Sequence, residues 1–354
     1  MKKKTKKSQL VKIVTAVLIT GFIFSFLLAN NLYRKILKTN IKFGDGIEER
    51  YIFIESDSKF SDVLLLLESN NLLLDINSFK WVAEKKNYIN NIKPGRYFID
   101  RDMNNNDLVN LLRSGKQSPV KVTFNNVRNL ENVSSKLSQY LEADSNEIYN
   151  AFIDVDFLKK NDLNINNVIS VFIPNTYEFY WNTSANDLRN RMMREHKKFW
   201  NWERRKKASK LKLSFSDVST LASIVEKEQN IRKDERPKIA GLYLNRISQG
   251  MKLESDPTLI FALKDFNINR VLNKDKKVNS PYNTYKHKGL PPGPICIPSI
   301  NSIDAVLNAE NHDYIFMCAK EDLSGYHNFA ITYRQHLVNA RKYQRMLNQK
   351  KILR

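Results

Sequence analysis

Hydrophobic and polar positions divide the chain into three kinds of pattern. The first is an uncharged apolar run over 13–29 that follows six lysines and no acid among the first twelve residues. Counted from Leu10, it reaches the ~20 residues that cross a hydrocarbon core at about 1.5 Å per residue. Lys12 can carry its ammonium group back to the head-group layer. The pattern predicts an uncleaved transmembrane helix over 10–30 behind a basic cytoplasmic tail, 1–9, with the rest of the chain outside the cytoplasmic membrane. Arg34, Lys35, Lys38 and Lys42 on the far side reduce the charge asymmetry. A cleaved signal peptide fits less well, because the apolar run is long for one and LLANN offers only Ala29 as a small residue for cleavage.

The second pattern alternates short strand-like and helix-like stretches. YIFIESDS reads as a strand entering a turn, FSDVLLLLESNNLL as a helix capped by Ser58 or Ser61, and NSFKWVAEKKN as a helix with apolar residues at its 3.6-residue period. IKPGRYFIDRDM then reads as a turn and a strand, and NNNDLVNLLRSGK as a helix capped by Asn105 or Asn106 and stopped by Gly115. Together these make a small α+β unit over 45–118, in which Trp81 and Tyr97 are read as core aromatics ahead of sugar platforms. Further on, VFIPNTYEFYWNTS either lines a carbohydrate cleft or packs a hairpin, with packing favoured for any one ring. DLRNRMMREHKKFWNWERRKKASK reads as one amphipathic helix ending in a basic cluster at 204–207, on a solvated face.

The third pattern holds the candidate chemistry. SDVSTLASIVEKE reads as a helix with Ser216 as N-cap and Asp217 in its first turn. Val218, Leu221, Ala222, Ile224 and Val225 form the apolar stripe of a buried face, and its continuation lands on Glu228. Glu226 falls about 200° away, on the flank with Ser219, Ala222 and Ser223. A carboxyl at the inward end of an apolar stripe loses solvation, which raises its pKa and lets it keep a proton for general-acid work at neutral pH. Glu226 suits instead a helix-end salt bridge to Lys227, Arg232 or Lys233. DERPKIAGLYLNRISQG gives a further helix with Asp234 as cap, Pro237 in the first turn and Gly250 past the end. A polar turn over 254–258 follows it, and later comes an irregular, Pro- and Gly-rich loop, NSPYNTYKHKGLPPGPICIPS. DYIFMCAK reads as a strand, GYHNF as a turn, and the C-terminus as a helix.

Composition narrows the classes of function. The 354 residues are 42% hydrophobic, ample for packed cores, and carry a formal net charge of +21. Such a charge favours an anionic partner, although a general bias toward Lys and Asn accounts for it too. Placement outside the membrane excludes nucleic acid. Cys296 and Cys318 are the only cysteines, and the five histidines never fall at a two-ligand spacing, so neither a disulfide framework nor a metal is expected. No phosphate-cradling Gly-rich motif is present, and no cofactor is expected.

ASIVEKE, the helix ending LNRISQGMKLESDPT, SPYNTYKHKGLPPGPI with PSINSIDAVLNA, and GYHNF together resemble the catalytic domain of the YceG-like family, in the right order over nearly the whole chain. The Pro-Gly-Arg-Tyr turn and the helix ending LLRSGK resemble that family's glycan-binding LysM-like subdomain. The resemblance implies an α+β fold with a larger catalytic domain over 119–348, built on a helix like that of goose-type lysozymes and soluble lytic transglycosylases. It further implies endolytic cleavage of the MurNAc-β-1,4-GlcNAc bond of nascent peptidoglycan. New strands would then end in 1,6-anhydro-MurNAc and stop growing, and synthases of the wall-elongation machinery would be partners. In those helices the acid is the last glutamate of the motif, which maps onto Glu228, although Gln229 stands where a hydroxyl residue is usual and Glu254 where a glutamine is common. Tyr282, Asn283, Thr284 and Tyr285 are candidates to orient the sugar and its acetamido group, and Glu226, Glu254, Asp256 and His327 complete the candidate substrate-binding set. A hydrolytic muramidase and a non-catalytic wall-binding tether remain the alternatives.

Overall fold

A computed structural model describes residues 2–42, 50–124, 127–268 and 271–350; position 45, where the small α+β unit is expected to begin, lies outside them. The fold is mixed α+β with small sheets only. It divides into two compact units, Met1–Val120 with Phe179–Asn182, and Lys121–Glu178 with Thr183–Arg354.

The first unit opens with α1, Lys2–Ile36, of which Gln9–Ile36 is apolar and long enough, at 28 residues, to cross a membrane. Leu18, Phe22, Phe24 and Phe26 are exposed on it, the surface that lipid would cover. The helix continues past the expected end at 30, since no Gly or Pro interrupts LANNLYRKI. β1, Arg50–Ile54, pairs antiparallel with β2, Gly95–Ile99, placing Ile52 opposite Tyr97. Helices α2, Phe60–Ser69, α3, Ile76–Lys85, and α4, Asn105–Ser114, close a core of Ile54, Leu67, Phe79, Val82, Leu108 and Leu112.

Two caps in this unit differ from the reading of the sequence. At α2 neither serine caps; the Asp62 carboxylate accepts from the Lys59 amide. At α4 the cap is Asn104, because Asn105 is buried and engaged elsewhere, donating to Ser78 Oγ and to the Lys35 carbonyl and accepting from Asn40. Gly115, at φ 70°, ends α4 as expected. Tyr97 is buried, its hydroxyl bonded to the Lys93 carbonyl, and Trp81 is half-buried against the Lys35 and Lys85 ammonium groups.

β3, Val120–Thr123, in the second unit from its second residue on, leads to α5, Leu130–Leu137, α6, Ser145–Phe152, and α7, Val155–Lys160, before β4, Thr176–Phe179, in the second unit up to Glu178, which pairs with β3. Phe172, Tyr177 and Phe179 are buried, so the aromatic stretch around β4 is mainly packing. The single helix expected next is two, α8, Ala185–Phe199, and α9, Trp202–Lys210. The break buries Trp200, stacked on Phe215 at 4.8 Å, and frees Asn201 to cap α9.

Then follow α10, Phe215–Glu228, α11, Arg236–Ser248, α12, Asp256–Leu263, and α13, Ile300–Leu307. The basic cluster of α9 is tied to α13 rather than merely solvated: Arg204 bonds both oxygens of Asp304 and Lys207 bonds the Asn308 amide. β5, Phe316–Ala319, pairs antiparallel with β6, His327–Ala330, and α14, Tyr333–Gln349, ends the unit. Part of the polar turn expected over 254–258 is therefore the first turn of α12, and HNF of the expected GYHNF turn is strand. Asp234 lies in a short 3-10 turn ahead of α11, whose N-cap is Glu235.

Candidate active site

The site is organised by α10. Its N-cap is Ser214, two residues earlier than expected, in a reciprocal capping box with Asp217. Moving the start back adds half a turn and leaves the stripe unchanged. Val218, Leu221, Ala222, Ile224 and Val225 pack with Ile239, Leu242 and Tyr243 of α11 and Ile303 and Val306 of α13. All nine residues from 218 to 226 are buried, so the helix runs through the middle of the core and has no solvated flank.

That placement changes the reading of Glu226. It is the more buried of the two glutamates, 8% exposed, and it makes no ion pair within salt-bridge distance of Lys227, Arg232 or Lys233 among the described residues. Its Oε2 accepts from the Ser299 amide at 2.7 Å, the Ser299 hydroxyl at 2.6 Å and the Ser302 hydroxyl at 2.7 Å. Ser299 is the N-cap of α13, so the carboxylate seals a helix N-terminus where negative charge is favoured.

Glu228, one turn-end further on, opens into a cleft of about 310 Å³ lined also by Tyr243, Arg246, Glu254, Asp256 and Tyr285. Its Oε1 accepts from Tyr243 Oη at 2.7 Å and Ser255 Oγ at 2.5 Å. The residue keeps a solvent-facing edge and is only half-buried, yet burial of the carboxyl dominates its titration and pushes its pKa above the ordinary glutamate range. The bonds from Ser255 and Tyr243 pull the other way; nearby Asp256 adds to the rise and His327 reduces it. Tyr243, itself buried beside this carboxylate, is raised well above its usual value and stays a donor.

The remaining candidates separate into groups that face the cleft and groups that build it. Glu254, in the left-handed region at φ 55°, accepts from Arg246 Nη2 at 2.6 Å. Asp256, in the first turn of α12, accepts from Tyr285 Oη at 2.6 Å, and burial followed by that bond pushes the Tyr285 phenol up. Asn283 and Thr284 are buried beneath the surface of the loop. Asn283 binds the Lys276 and Val278 carbonyls and the Tyr285 amide, and Thr284 accepts from the Ser255 amide and shares a bond with Thr258. Tyr282 packs on Phe261 at 4.7 Å and lines a different pocket, and burial pushes its phenol up to about 12. His327 binds Glu235 twice, its Nδ1 at 2.7 Å and its amide at 2.8 Å. Burial raises the Glu235 pKa, but the bonds from His327 and Gln229 outweigh it and hold the carboxyl low.

The YceG-like family pattern matches residues 52–342. The chain belongs to that family. A relative from Bacillus subtilis strain 168, named endolytic murein transglycosylase, is 28% identical over 315 residues, covering 84% of this chain and 86% of the relative. A protein of the same name from Streptococcus pneumoniae strain R6 is 27% identical over 308 residues, 78% of this chain, and this chain spans only 55% of that relative's length. A solved YceG-like protein from Listeria monocytogenes superposes with a TM-score of 0.53 at 27% identity, covering 82% of this chain and 98% of that one.

Within this YceG-like chain, several residues that shape the cleft escape a reading of the sequence. Tyr243 and Ser255 hold Glu228, and Arg246 holds Glu254, but they lie 15, 27 and 8 residues from their partners, and no local motif marks such pairs. Gln229 is a structural hub rather than a substitute for a substrate-facing hydroxyl. Its amide donates to Glu235 and the Gly325 carbonyl, its Oε1 accepts from the Ile231 and Arg232 amides, and its carbonyl accepts from Arg236. Cys296 is buried and its thiol is pushed up to about 12, and burial also raises Cys318, so neither offers a thiolate.

Proposed function

We propose that the protein is a membrane-anchored lytic transglycosylase that cleaves the MurNAc-β-1,4-GlcNAc bond within peptidoglycan strands. The observation that carries this reading is Glu228: a carboxyl with a raised pKa, on a cleft, with both of its hydrogen bonds among the described residues on Oε1. Oε2 is thereby left to carry the proton toward a ligand. Protonation of the glycosidic oxygen by Glu228 breaks the bond and leaves positive charge at the anomeric carbon. The resulting carboxylate takes the proton of the C6 hydroxyl of the same muramic residue as that oxygen closes onto the anomeric carbon. No water enters, Glu228 ends protonated as it began, and the new strand end is 1,6-anhydro-MurNAc. An intramolecular nucleophile has a high effective molarity, so a single carboxylate suffices where hydrolysis uses two. The other two carboxylates of the cleft are each engaged, Glu254 by Arg246 and Asp256 by Tyr285.

The names of the relatives agree with this chemistry. The apolar helix at the N-terminus serves as a single-pass anchor, with its lysine-rich start in the cytoplasm and the second unit on the outer side of the cytoplasmic membrane. From that position the enzyme terminates strand elongation and works beside the synthases that make the strands.

A second reading, hydrolysis, rests on Glu254 and Asp256 lining the same cleft as Glu228. Digestion of purified peptidoglycan with the full-length protein, followed by mass spectrometry, separates the two. Ends lighter by one water and without a reducing group are expected. Reducing muramic acid as the main product would identify a hydrolase and point to Asp256 or Glu254 as the base, and intact glycan would leave only a binding role.

A further inference from the structure

The lining of the cleft divides by element. The end of α10, the turn before α12 and the start of α12 supply Glu228, Glu254 and Asp256, whereas β5 and α14 supply Phe316, Met317, Tyr333 and His336. The second set is apolar and largely aromatic beside three carboxylates. Tyr333, in the first turn of α14, is 61% exposed. Phe316 lies 5.8 Å from it and stacks on His336 at 5.3 Å with an interplanar angle of 23°. Arg246 joins the two halves: it bonds Glu254, and its guanidinium sits 5.7 Å from the Phe316 ring centre. Phe316 is therefore held in orientation, and Tyr333, beside it, is left largely exposed.

A β-linked pyranose chair matches this division. Its faces are C–H surfaces that pack on an aromatic ring, and its equatorial hydroxyl and amide groups lie on the rim, within reach of carboxylate and phenol partners. We propose that Tyr333 and Phe316 form a stacking platform for a sugar ring next to the bond that Glu228 protonates, with Tyr333 as the positioning residue that sets glycan affinity. The platform rests on the glycan-cleaving reading above, and it acts on binding rather than on proton transfer.

The test is affinity for a peptide-free GlcNAc–MurNAc oligosaccharide, measured by calorimetry with the full-length Glu228→Gln protein in detergent, so that no turnover interferes. Adding Tyr333→Ala is expected to weaken binding about tenfold, which is about 1.4 kcal/mol, and Tyr333→Phe in its place is expected to restore it, since stacking needs the ring and not the hydroxyl. In the active protein, Tyr333→Ala should raise KM about tenfold and leave kcat unchanged. Equal affinity with and without Tyr333→Ala, or a fall in kcat at constant KM, overturns the platform alone. Absence of oligosaccharide binding by Glu228→Gln itself overturns both the platform and the reading beneath it.

Discussion

Glu226 and Glu228 stand two residues apart on the last turn of one helix, and their surroundings turn the same chemical group to different ends. Around Glu226 three donors converge on one oxygen at the start of α13, the residue is buried, and its charge closes a joint between two core helices. Around Glu228 two hydroxyls hold one oxygen, the other has no protein partner among the described residues, and desolvation outweighs those bonds so that the pKa is raised. The difference lies less in how deep each carboxyl sits than in how many donors meet it. A buried carboxylate tied by three donors is a fastening; one that leaves an oxygen toward a cleft can meet a ligand.

The contrast is broken most sharply by exchanging each glutamate in turn. Glu228→Gln retains an Oε1 for Tyr243 and Ser255 and loses only the proton donor, so kcat should fall by about a thousandfold or more, within the range that general-acid catalysis supplies, while the circular dichroism spectrum is unchanged. Glu226→Ala should do the reverse: three donors lose their acceptor, unfolding free energy in urea should drop by about 3 kcal/mol, and the fraction that remains folded should turn over normally. Tyr243→Phe comes next in size, removing one bond that lowers the Glu228 pKa. The acid then stays protonated to higher pH, so the alkaline limb of the kcat profile should move up, with kcat itself falling about tenfold.

The smallest effect is on stability. Because the folded pKa of Glu228 is raised, the folded state binds more protons than the unfolded chain between the ordinary value and the raised one, and stability falls as pH rises through that window. Glu228→Gln removes this slope, so its melting temperature should gain on that of the parent above the window and match it below.

Much of the first unit was legible because its signals are local. The strands around Ile52 and Tyr97, the helix that Gly115 stops and the apolar run of α1 each follow from periodicity and end signals within a few residues. Caps were less legible, since Asn104, Asn105 and Asn106 are equally able and only the burial of Asn105 by Ser78 and Asn40 selects the first. In the second unit the stripe of α10 pointed at Glu228, but the same argument put Glu226 on a solvated flank, because a stripe reports one buried face and α10 is packed on all sides. Tyr243, Ser255 and Arg246 were invisible for a different reason: their contacts join separate elements, and nothing in their local sequence distinguishes them from ordinary helix and turn residues. Of the four loop candidates Tyr285 lines the cleft beside Glu228, while Asn283 accepts from the Tyr285 amide and Thr284 from the Ser255 amide.

The measurement closest to the central claim is the titration of Glu228 itself. With the carboxyl carbons of glutamate labelled and the Glu228 signal assigned by its loss in Glu228→Gln, the NMR midpoint should lie above the ordinary glutamate value of about 4.3. It should rise further when Tyr243 or Ser255 loses its hydroxyl. A midpoint at or below the ordinary value would mean that the carboxyl is ionised at neutral pH, and Glu228 would then have no proton to give.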